Sequence, residues 1–386
     1  MIGVNHRPRD DPDNHCVIEL EIDGRRVQAT AGGLLIDAAA SAGIAIPSLC
    51  HHRELRPTAN CRLCMVEIEG WRVEAPACST RVEAGMRVRT ESPRIAESRR
   101  AALELLLTRY HDPLWGRHTR PENEFEYWCR HYGVRVPQSV FEPGDSAPDA
   151  DPHPLMRVDL ERCILCTRCV RACKELQVRS VWGLAGRGEH TRLAAGLGGT
   201  MLEARCESCG ACAAFCPTGA LEDRGAEAAG APDTLVTTVC PYCGVGCSYD
   251  LGVKAGRVVR VLSNPYAPVN GMHLCVKGRY GWDFVHHAER LTQPRVRREL
   301  LEARARGPHE ARGEWVGVDW DTALALVAEK LETVRRQSGP DAIALLASAK
   351  CTNEENYLIQ KLARQVIGTH NVDHCARLCH ASTVAG

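Results

Sequence analysis

The chain has no excess of charge: 48 lysines and arginines face 48 aspartates and glutamates across 386 residues. That balance leaves no electrostatic footprint for nucleic acid or for an anionic membrane surface. Aromatic residues are scarce at 5%, while hydrophobic residues at 44% are ordinary for a soluble protein. No run approaches the roughly 20 apolar residues of a membrane span. The opening MIGVNHRPRDDPDNHC contains no apolar core of an export signal. These absences lead to the expectation of a cytoplasmic protein with neither nucleic-acid nor membrane partners.

What is abundant is cysteine, with 21 residues. A secreted disulfide scaffold and metal sites in a reducing compartment both use cysteine at this density. Disulfide frameworks of that kind belong to short secreted chains. Here most cysteines stand in tight CxxC runs and no export signal precedes them, which favours metal.

The cysteines fall into quartets. Cys50, Cys61, Cys64 and Cys78 have C-x10-C-x2-C-x13-C spacing. Thiolates are soft donors suited to iron–sulfur clusters, which take four of them. The surrounding pattern predicts a β-grasp, which favours [2Fe–2S]; structural zinc is the alternative. Cys163, Cys166, Cys169 and Cys173 have C-x2-C-x2-C-x3-C spacing, and Cys206, Cys209, Cys212 and Cys216 repeat it before Pro217. This is the pattern of two-cluster bacterial ferredoxins, in which each fourth cysteine serves the other cluster. One [4Fe–4S] is therefore expected on Cys163, Cys166, Cys169 and Cys216. The other is expected on Cys206, Cys209, Cys212 and Cys173. Lys174 replaces the proline that usually follows the first run. The last quartet, Cys240, Cys243, Cys247 and Cys275, is spaced C-x2-C-x3-C-x27-C and leaves zinc open on spacing alone.

The pattern between the cysteines predicts an α+β multidomain chain. Residues 15–92 read as a β-grasp: the strands VIELEIDG and RRVQAT turn at Asp23-Gly24, a helix ends near Gly43, and a cysteine loop leads to the strand MVEIEG. Residues 93–136 read as a helical connector with Ile95, Ala102, Leu103, Leu106 and Leu107 on its apolar face, and 137–154 as a linker. Residues 155–222 form the two-cluster ferredoxin, 235–300 a further [4Fe–4S] domain and 310–386 the truncated start of an α/β domain. In that last part a helix over 319–336 presents Leu324, Val327, Leu331 and Val334 and stops at Gly339-Pro340. A strand of buried type is expected over 342–347, followed by a helix capped by Thr352 and Glu355 and ended by Gly368.

The string CPYCGVGCSYDLGVKAGRVVRVLSNPYAPVNGMHLCVKGRYGWDF resembles the [4Fe–4S] domain that opens the molybdopterin oxidoreductases. In that family a lysine after the fourth cysteine lies between cluster and pterin, and Lys277 matches it. The stretch KCTNEENYLIQKLARQVIGTHNVDHCARLCHASTVAG resembles the segment ending in the family's metal ligand, and residues 15–386 together resemble the catalytic subunit of soluble formate dehydrogenases. The resemblance implies that Cys379 binds molybdenum or tungsten, carried by a bis-molybdopterin guanine dinucleotide, and that His380 handles protons or orients substrate. It implies oxidation of formate to carbon dioxide, with Lys277 part of the catalytic relay. Electrons then leave through three [4Fe–4S] clusters and one [2Fe–2S] to a flavin-bearing NAD-reducing subunit, or to a hydrogenase or ferredoxin partner. Some relatives hold one more cluster on His-x3-Cys-x2-Cys-x5-Cys. Here His111 is followed by Trp115, His118 and Glu124, so no cluster is expected there, and Cys129 is out of register. Cys16, Cys351 and Cys375 read as ordinary buried thiols.

The chain stops seven residues after Cys379, whereas the resemblance implies several hundred further residues. The expected protein is therefore a portion of an enzyme, inactive alone and completed by a missing C-terminal catalytic part. Rival readings are a non-catalytic carrier like the large iron–sulfur subunit of NADH dehydrogenase, an iron-only hydrogenase, and another molybdopterin enzyme such as nitrate reductase. The first generally lacks the Lys277 and Cys379-His380 features. The hydrogenase's own cysteine motifs are not visible in this sequence, and the NEENY-to-CH stretch weighs against nitrate reductase.

Overall fold

The computed structural model describes residues 16–115, 123–142, 144, 149–225, 230–302 and 312–385, without the side chains of residues 379, 382 and 383. The chain forms two compact units, Met1–Gly230 and Ala231–Gly386.

The first unit opens with β1 (Val17–Ile22) and β2 (Arg25–Thr30), paired antiparallel. The alternation of VIELEI buries Leu20 and Ile22. Asp23 and Gly24 both take positive φ, 49° and 76°, as a two-residue turn matched to strand twist requires. The Asp23 carboxylate is held from the far side by the Thr90 N–H at 2.7 Å. Helix α1 (Leu35–Ser41) buries Leu35, Ile36, Ala38 and Ala39. Strands β3 (Met65–Ile68), β4 (Ala75–Pro76) and β5 (Arg87–Arg89) complete a mixed sheet of order β2-β1-β5-β3-β4, in which β1 and β5 are parallel. Cys64 opens β3 and Cys78 follows β4, so both enter the core shared by sheet and helix.

Helix α2 (Pro93–Leu107) starts on Ser92, whose hydroxyl accepts the Ile95 N–H at 3.1 Å. Its buried stripe is Ile95, Arg99, Leu103 and Leu107, four residues apart. Ala102 and Leu106 of the expected face are only half-buried. Arg99 takes the second place and is fully buried. It donates to Glu91 at 2.6 Å, to the Tyr132 hydroxyl at 2.7 Å, and to the carbonyls of Thr90 and Met65 at 2.9 and 3.0 Å. One cation thus ties α2 to β3 and to the end of α3 (Glu124–His131).

The rest of this unit is two short hairpin-like pairs around the cysteine runs. Strand β6 (Met156–Val158) precedes the first run, β9 (Leu221–Asp223) follows the second, and the two pair antiparallel. That pairing closes one run onto the other. Between them lie α4 (Arg168–Arg171), a π-helical turn Ala172–Leu176, the paired strands β7 (Trp182–Ala185) and β8 (Arg192–Ala195), and α5 (Ala211–Ala214). Within 137–154, read as linker, Val140, Asp151 and His153 are buried. Arg224 accounts for part of this, donating to the Asp149 carboxylate and to the carbonyls of Asp151, His153 and Met156.

The second unit begins with the antiparallel sheet β10 (Thr234–Val239), β11 (Ser248–Lys254) and β12 (Arg257–Ser263). After the pair β13 (Arg295–Arg297) and β14 (Trp315–Gly317), a helix runs from Trp320 to Ser338, capped by Asp319. It buries no residue; Leu324 and Val327 are 58% and 54% exposed. The expected strand over 342–347 is corrected in two respects. Pro340–Ala342 forms a 3-10 turn, so β15 is only Leu345–Ala347, and Leu346 is 81% exposed rather than buried. It also has a partner: β16 (Val372–His374) lies parallel to it. The capping box of Thr352 and Glu355 is present, and Gly368 at φ 89° closes the helix region it begins. No described helix is long and apolar enough to cross a membrane.

The role of Arg99 is testable. Arg99→Ala strands two buried carbonyls and the Tyr132 hydroxyl, and is expected to cost about 2–4 kcal/mol, read as a lowered denaturation midpoint of the first unit. A loss under about 0.5 kcal/mol, the size of an ordinary surface substitution, would show that the cation is not a tie.

Candidate metal centres

The first quartet is closed by the sheet. Cys50 and Cys61 lie on the loop after α1, Cys64 and Cys78 on the β3 and β4 ends, and the Ala77 N–H donates to the Cys64 carbonyl at 2.9 Å. All four are at most 5% exposed. Their sulfurs meet: Cys50 contacts Cys61 and Cys78, and Cys64 contacts Cys78. The Leu49 N–H also points to the Cys61 sulfur at 3.4 Å. Hydrogen bonds from Cys61 and Cys78 hold the Cys50 thiol far below its usual range. The same contacts push Cys78 and Cys61 up, with burial adding to them. Such a pocket favours a first thiolate and resists the next. A cationic metal core that binds four thiolates supplies the missing counter-charge, so the donor set fits a cluster.

In the second and third centres the runs exchange partners. Cys216 is the charged neighbour felt by Cys163, Cys166 and Cys169. Cys173 is the neighbour felt by Cys206 and Cys212, together with Cys209. A cavity is lined by Cys163, Cys166, Cys169 and Cys216. Burial pushes the Cys163 thiol up to about 11 and Cys166 up to about 12. Free thiols there would stay protonated and need a metal to ionise. Cys173 sits on the π-helical turn, and its sulfur accepts the Val181 N–H at 3.2 Å. The Ser208 N–H similarly reaches the Cys206 sulfur at 3.3 Å.

The cysteine loops share a backbone device. Ala59, Arg62, Leu165, Thr167, Arg205 and Ser208 all take positive φ, between 52° and 62°. Residues other than glycine rarely do so, and alternating left-handed residues turn successive N–H groups into one concavity. Leu165 and Thr167 flank Cys166; Ser208 and Gly210 flank Cys209. The strain therefore lies where anionic sulfur has to be surrounded by donors.

The fourth quartet belongs to the second unit. Cys240, Cys243 and Cys247 occupy the turn between β10 and β11, closed by the Cys240 N–H to the Cys247 carbonyl at 2.8 Å. Asn270 pins the segment carrying Cys275 to this turn. It accepts the Ser248 N–H at 2.8 Å and donates to the carbonyls of Ser248 and His273 at 3.0 and 2.8 Å. Cys247 feels Cys240, Cys243 and Cys275 as charged neighbours. This site is more open, with Cys243 and Cys275 exposed. Lys277 follows on the helix Val276–Tyr280 with its side chain exposed. Cys379 closes the helix Ala376–Cys379, and His380 caps it.

Among the described residues no three His, Cys, Asp or Glu side chains converge as a site for one ion. A cluster does not need all four thiolates on one ion, because they are shared among two or four irons. Three isolated cysteines depart from the expected burial: Cys16 and Cys375 are exposed and Cys351 is half-buried. Cys375 instead accepts the Ala349 N–H at 3.3 Å beside β15. At the His111 position, the Nδ1 atom meets the Ser139 carbonyl at 2.9 Å. Trp115 packs edge-on against Tyr110 and Phe125, Glu124 pairs with Arg168 at 2.9 Å, and His118 lies outside the described residues.

The buried arginines of α4 were not singled out from sequence. Arg168 is 4% and Arg171 7% exposed. Their signal was present: two cations three apart within a cysteine run, on one helical face.

The gathered thiol quartets fit iron–sulfur clusters, and the comparisons match iron–sulfur domains over them. The model of a 2Fe-2S iron-sulfur cluster binding domain matches residues 15–93, and the ferredoxin-like domain of NADH-quinone oxidoreductase subunit 3 matches 153–222. The molybdopterin oxidoreductase Fe4S4 domain matches 233–287, and the molybdopterin oxidoreductase model matches 290–386. Residues 233–287 and 290–386 thus carry successive molybdopterin oxidoreductase matches. It is 31% identical to "Probable oxidoreductase YjgC" of Bacillus subtilis (strain 168), over 95% of this chain and 40% of that protein. It is 30% identical to a "Putative formate dehydrogenase" of Staphylococcus aureus (strain USA300), over 96% of this chain and 40% of that protein. The chain thus spans about 40% of the length of these relatives. A chain of a solved NAD+-reducing [NiFe]-hydrogenase aligns at 28% identity over 54% of this chain and 88% of that one. Its TM-score of 0.43 is too low to define a shared fold.

The exchange of fourth cysteines gives a direct expectation. Cys173→Ala should remove or convert the cluster of Cys206, Cys209 and Cys212 and spare that of Cys163, Cys166 and Cys169, as read by EPR of the reconstituted chain. Loss of the Cys163 signal instead would contradict the exchange.

Proposed function

We propose that this chain is the electron-conducting arm and first catalytic segment of a formate dehydrogenase. In this reading, Cys50, Cys61, Cys64 and Cys78 hold a [2Fe–2S] cluster on a β-grasp domain. Cys163, Cys166, Cys169 and Cys216 hold one [4Fe–4S], Cys206, Cys209, Cys212 and Cys173 a second, and Cys240, Cys243, Cys247 and Cys275 a third. The observation that carries the reading is that distant cysteines of the first unit are gathered into adjoining quartets. The pair Cys379-His380 at the end of a molybdopterin oxidoreductase match, and a relative named as a putative formate dehydrogenase, support formate as the substrate.

The half-reaction is HCOO⁻ → CO2 + H⁺ + 2 e⁻. A molybdenum or tungsten pterin would accept the electron pair, with Cys379 as its thiolate donor. His380, next in the chain, would take the proton. Lys277, two residues after Cys275, would lie beside the Cys240 cluster and favour its reduced form. The clusters held by the four quartets would supply one-electron transfer toward a flavin-bearing, NAD-reducing partner or another redox protein. The apolar side of the helix Trp320–Ser338 would be covered by polypeptide that the relatives carry in addition. A second reading, a non-catalytic carrier, is favoured by the match of residues 153–222 to a subunit of NADH-quinone oxidoreductase.

Formate decides between the two. The chain, assembled with the catalytic portion of a relative and loaded with metal, is expected to have its clusters reduced by formate under anaerobic conditions. Cys379→Ala should abolish that reduction, and Lys277→Ala should slow it at unchanged metal content. Reduction by NADH but never by formate would favour the carrier. Unchanged rates in Lys277→Ala would remove the lysine from the relay.

A further inference from the structure

The loop of the first quartet and helix α4 of the second are joined by buried cations, of which Arg171 bonds both quartets. Arg171 sends its Nη2 to the carbonyls of Cys50 and Cys166, the latter at 3.2 Å, and its Nη1 to the Arg56 carbonyl at 2.7 Å. Its Nε reaches the Thr167 hydroxyl at 3.3 Å. Cys50 and Cys166 belong to different quartets, yet they share one nitrogen of this side chain. Arg168, one turn earlier, donates to the Ser48 carbonyl at 3.3 Å and is balanced by the Glu124 carboxylate. Glu175 tightens the same seam by accepting the Arg56 N–H at 3.0 Å. The apolar core around this seam contains Cys50, Cys61, Ile164 and Cys166 together.

We propose that Arg171 is a positioning and potential-setting residue for electron exchange between the Cys50 centre and the Cys163 centre. The inference rests on reading these two quartets as clusters. The exchange is a one-electron step: the [4Fe–4S] is oxidised as the [2Fe–2S] is reduced, and no bond or proton changes hands. A reduced cluster carries one more negative charge than an oxidised one. A fixed cation between the two, 7% exposed and little screened by water, stabilises the reduced form of both. Its planar fork satisfies carbonyls from both loops at once and so fixes their separation, which an ammonium could do less well. Arg171 thus raises both potentials and, by fixing the separation of the two loops, holds the distance over which the electron moves. Among the described residues, Arg171 makes no bond to Cys206, Cys209 or Cys212.

The test is an EPR redox titration of the full chain, reconstituted anaerobically, as wild type, Arg171→Gln and Arg171→Lys. The expected result for Arg171→Gln is unchanged iron and sulfide, with the midpoint potentials of the [2Fe–2S] and one [4Fe–4S] shifted to more negative values and the other two unmoved. Arg171→Lys should restore both toward wild type. Four unchanged potentials, or an equal shift of all four, would overturn the proposal. If Arg171→Gln loses iron, Arg171→Lys decides. Iron retained with both potentials near wild type supports the charge, while iron loss there too overturns it, because the side chain is then only a structural tie. A wild-type chain that takes up no cluster at all would instead overturn the functional reading on which the proposal rests.

Discussion

The structure depends on gathering four thiols at one point when each ionised sulfur repels the others. Burial alone keeps such groups protonated, as the raised Cys163 and Cys166 show. The chain meets this constraint with backbone. Left-handed residues on either side of Cys166 and Cys209 aim N–H groups inward, and N–H donors reach the sulfurs of Cys61, Cys173 and Cys206. The secondary structure around the second and third centres is correspondingly slight: strands of three or four residues and helices of four. Elements that short bury little apolar surface of their own. A bound metal core would stand where a larger domain has side chains, which would couple metal binding to folding.

Arginine supplies the second layer of order. Arg99, Arg162, Arg168 and Arg171 are all buried, and each links segments far apart in sequence. Arg162 bonds Asp112 at 3.1 Å and lies beside Tyr110, whose hydroxyl burial pushes to a higher pKa. A planar guanidinium can satisfy several carbonyls at once, which suits loops that lack regular partners. Two of these cations, Arg168 and Arg171, bond carbonyls of the cysteine loops, so they would serve packing and electrostatics together once clusters are bound.

Much of this was legible in the sequence. Cysteine spacing marked every quartet, and the turn at Asp23-Gly24 and the Thr352–Glu355 box were both set by local chemistry. What escaped was non-local. Arg99 occupies an apolar stripe that its charge argued against, because its partners come from β3 and α3. The π-helical turn under Cys173 has no period that reveals it. The Ala342–Ala347 run read as a buried strand on hydrophobicity alone, but a 3-10 turn after Gly339 shortens it and its partner lies at Val372–His374. The exposed Cys16 and Cys375 show that burial of a lone thiol does not follow from its being a cysteine.

The central claim is that the chain binds four iron–sulfur clusters of two kinds on its four quartets. Anaerobic reconstitution followed by iron, sulfide and zinc analysis, with Mössbauer spectroscopy to sort the iron, tests it most directly. The account predicts one [2Fe–2S] and three [4Fe–4S] per chain with no zinc. Zinc in any quartet, or iron and sulfide for fewer clusters in a fully folded chain, would contradict it.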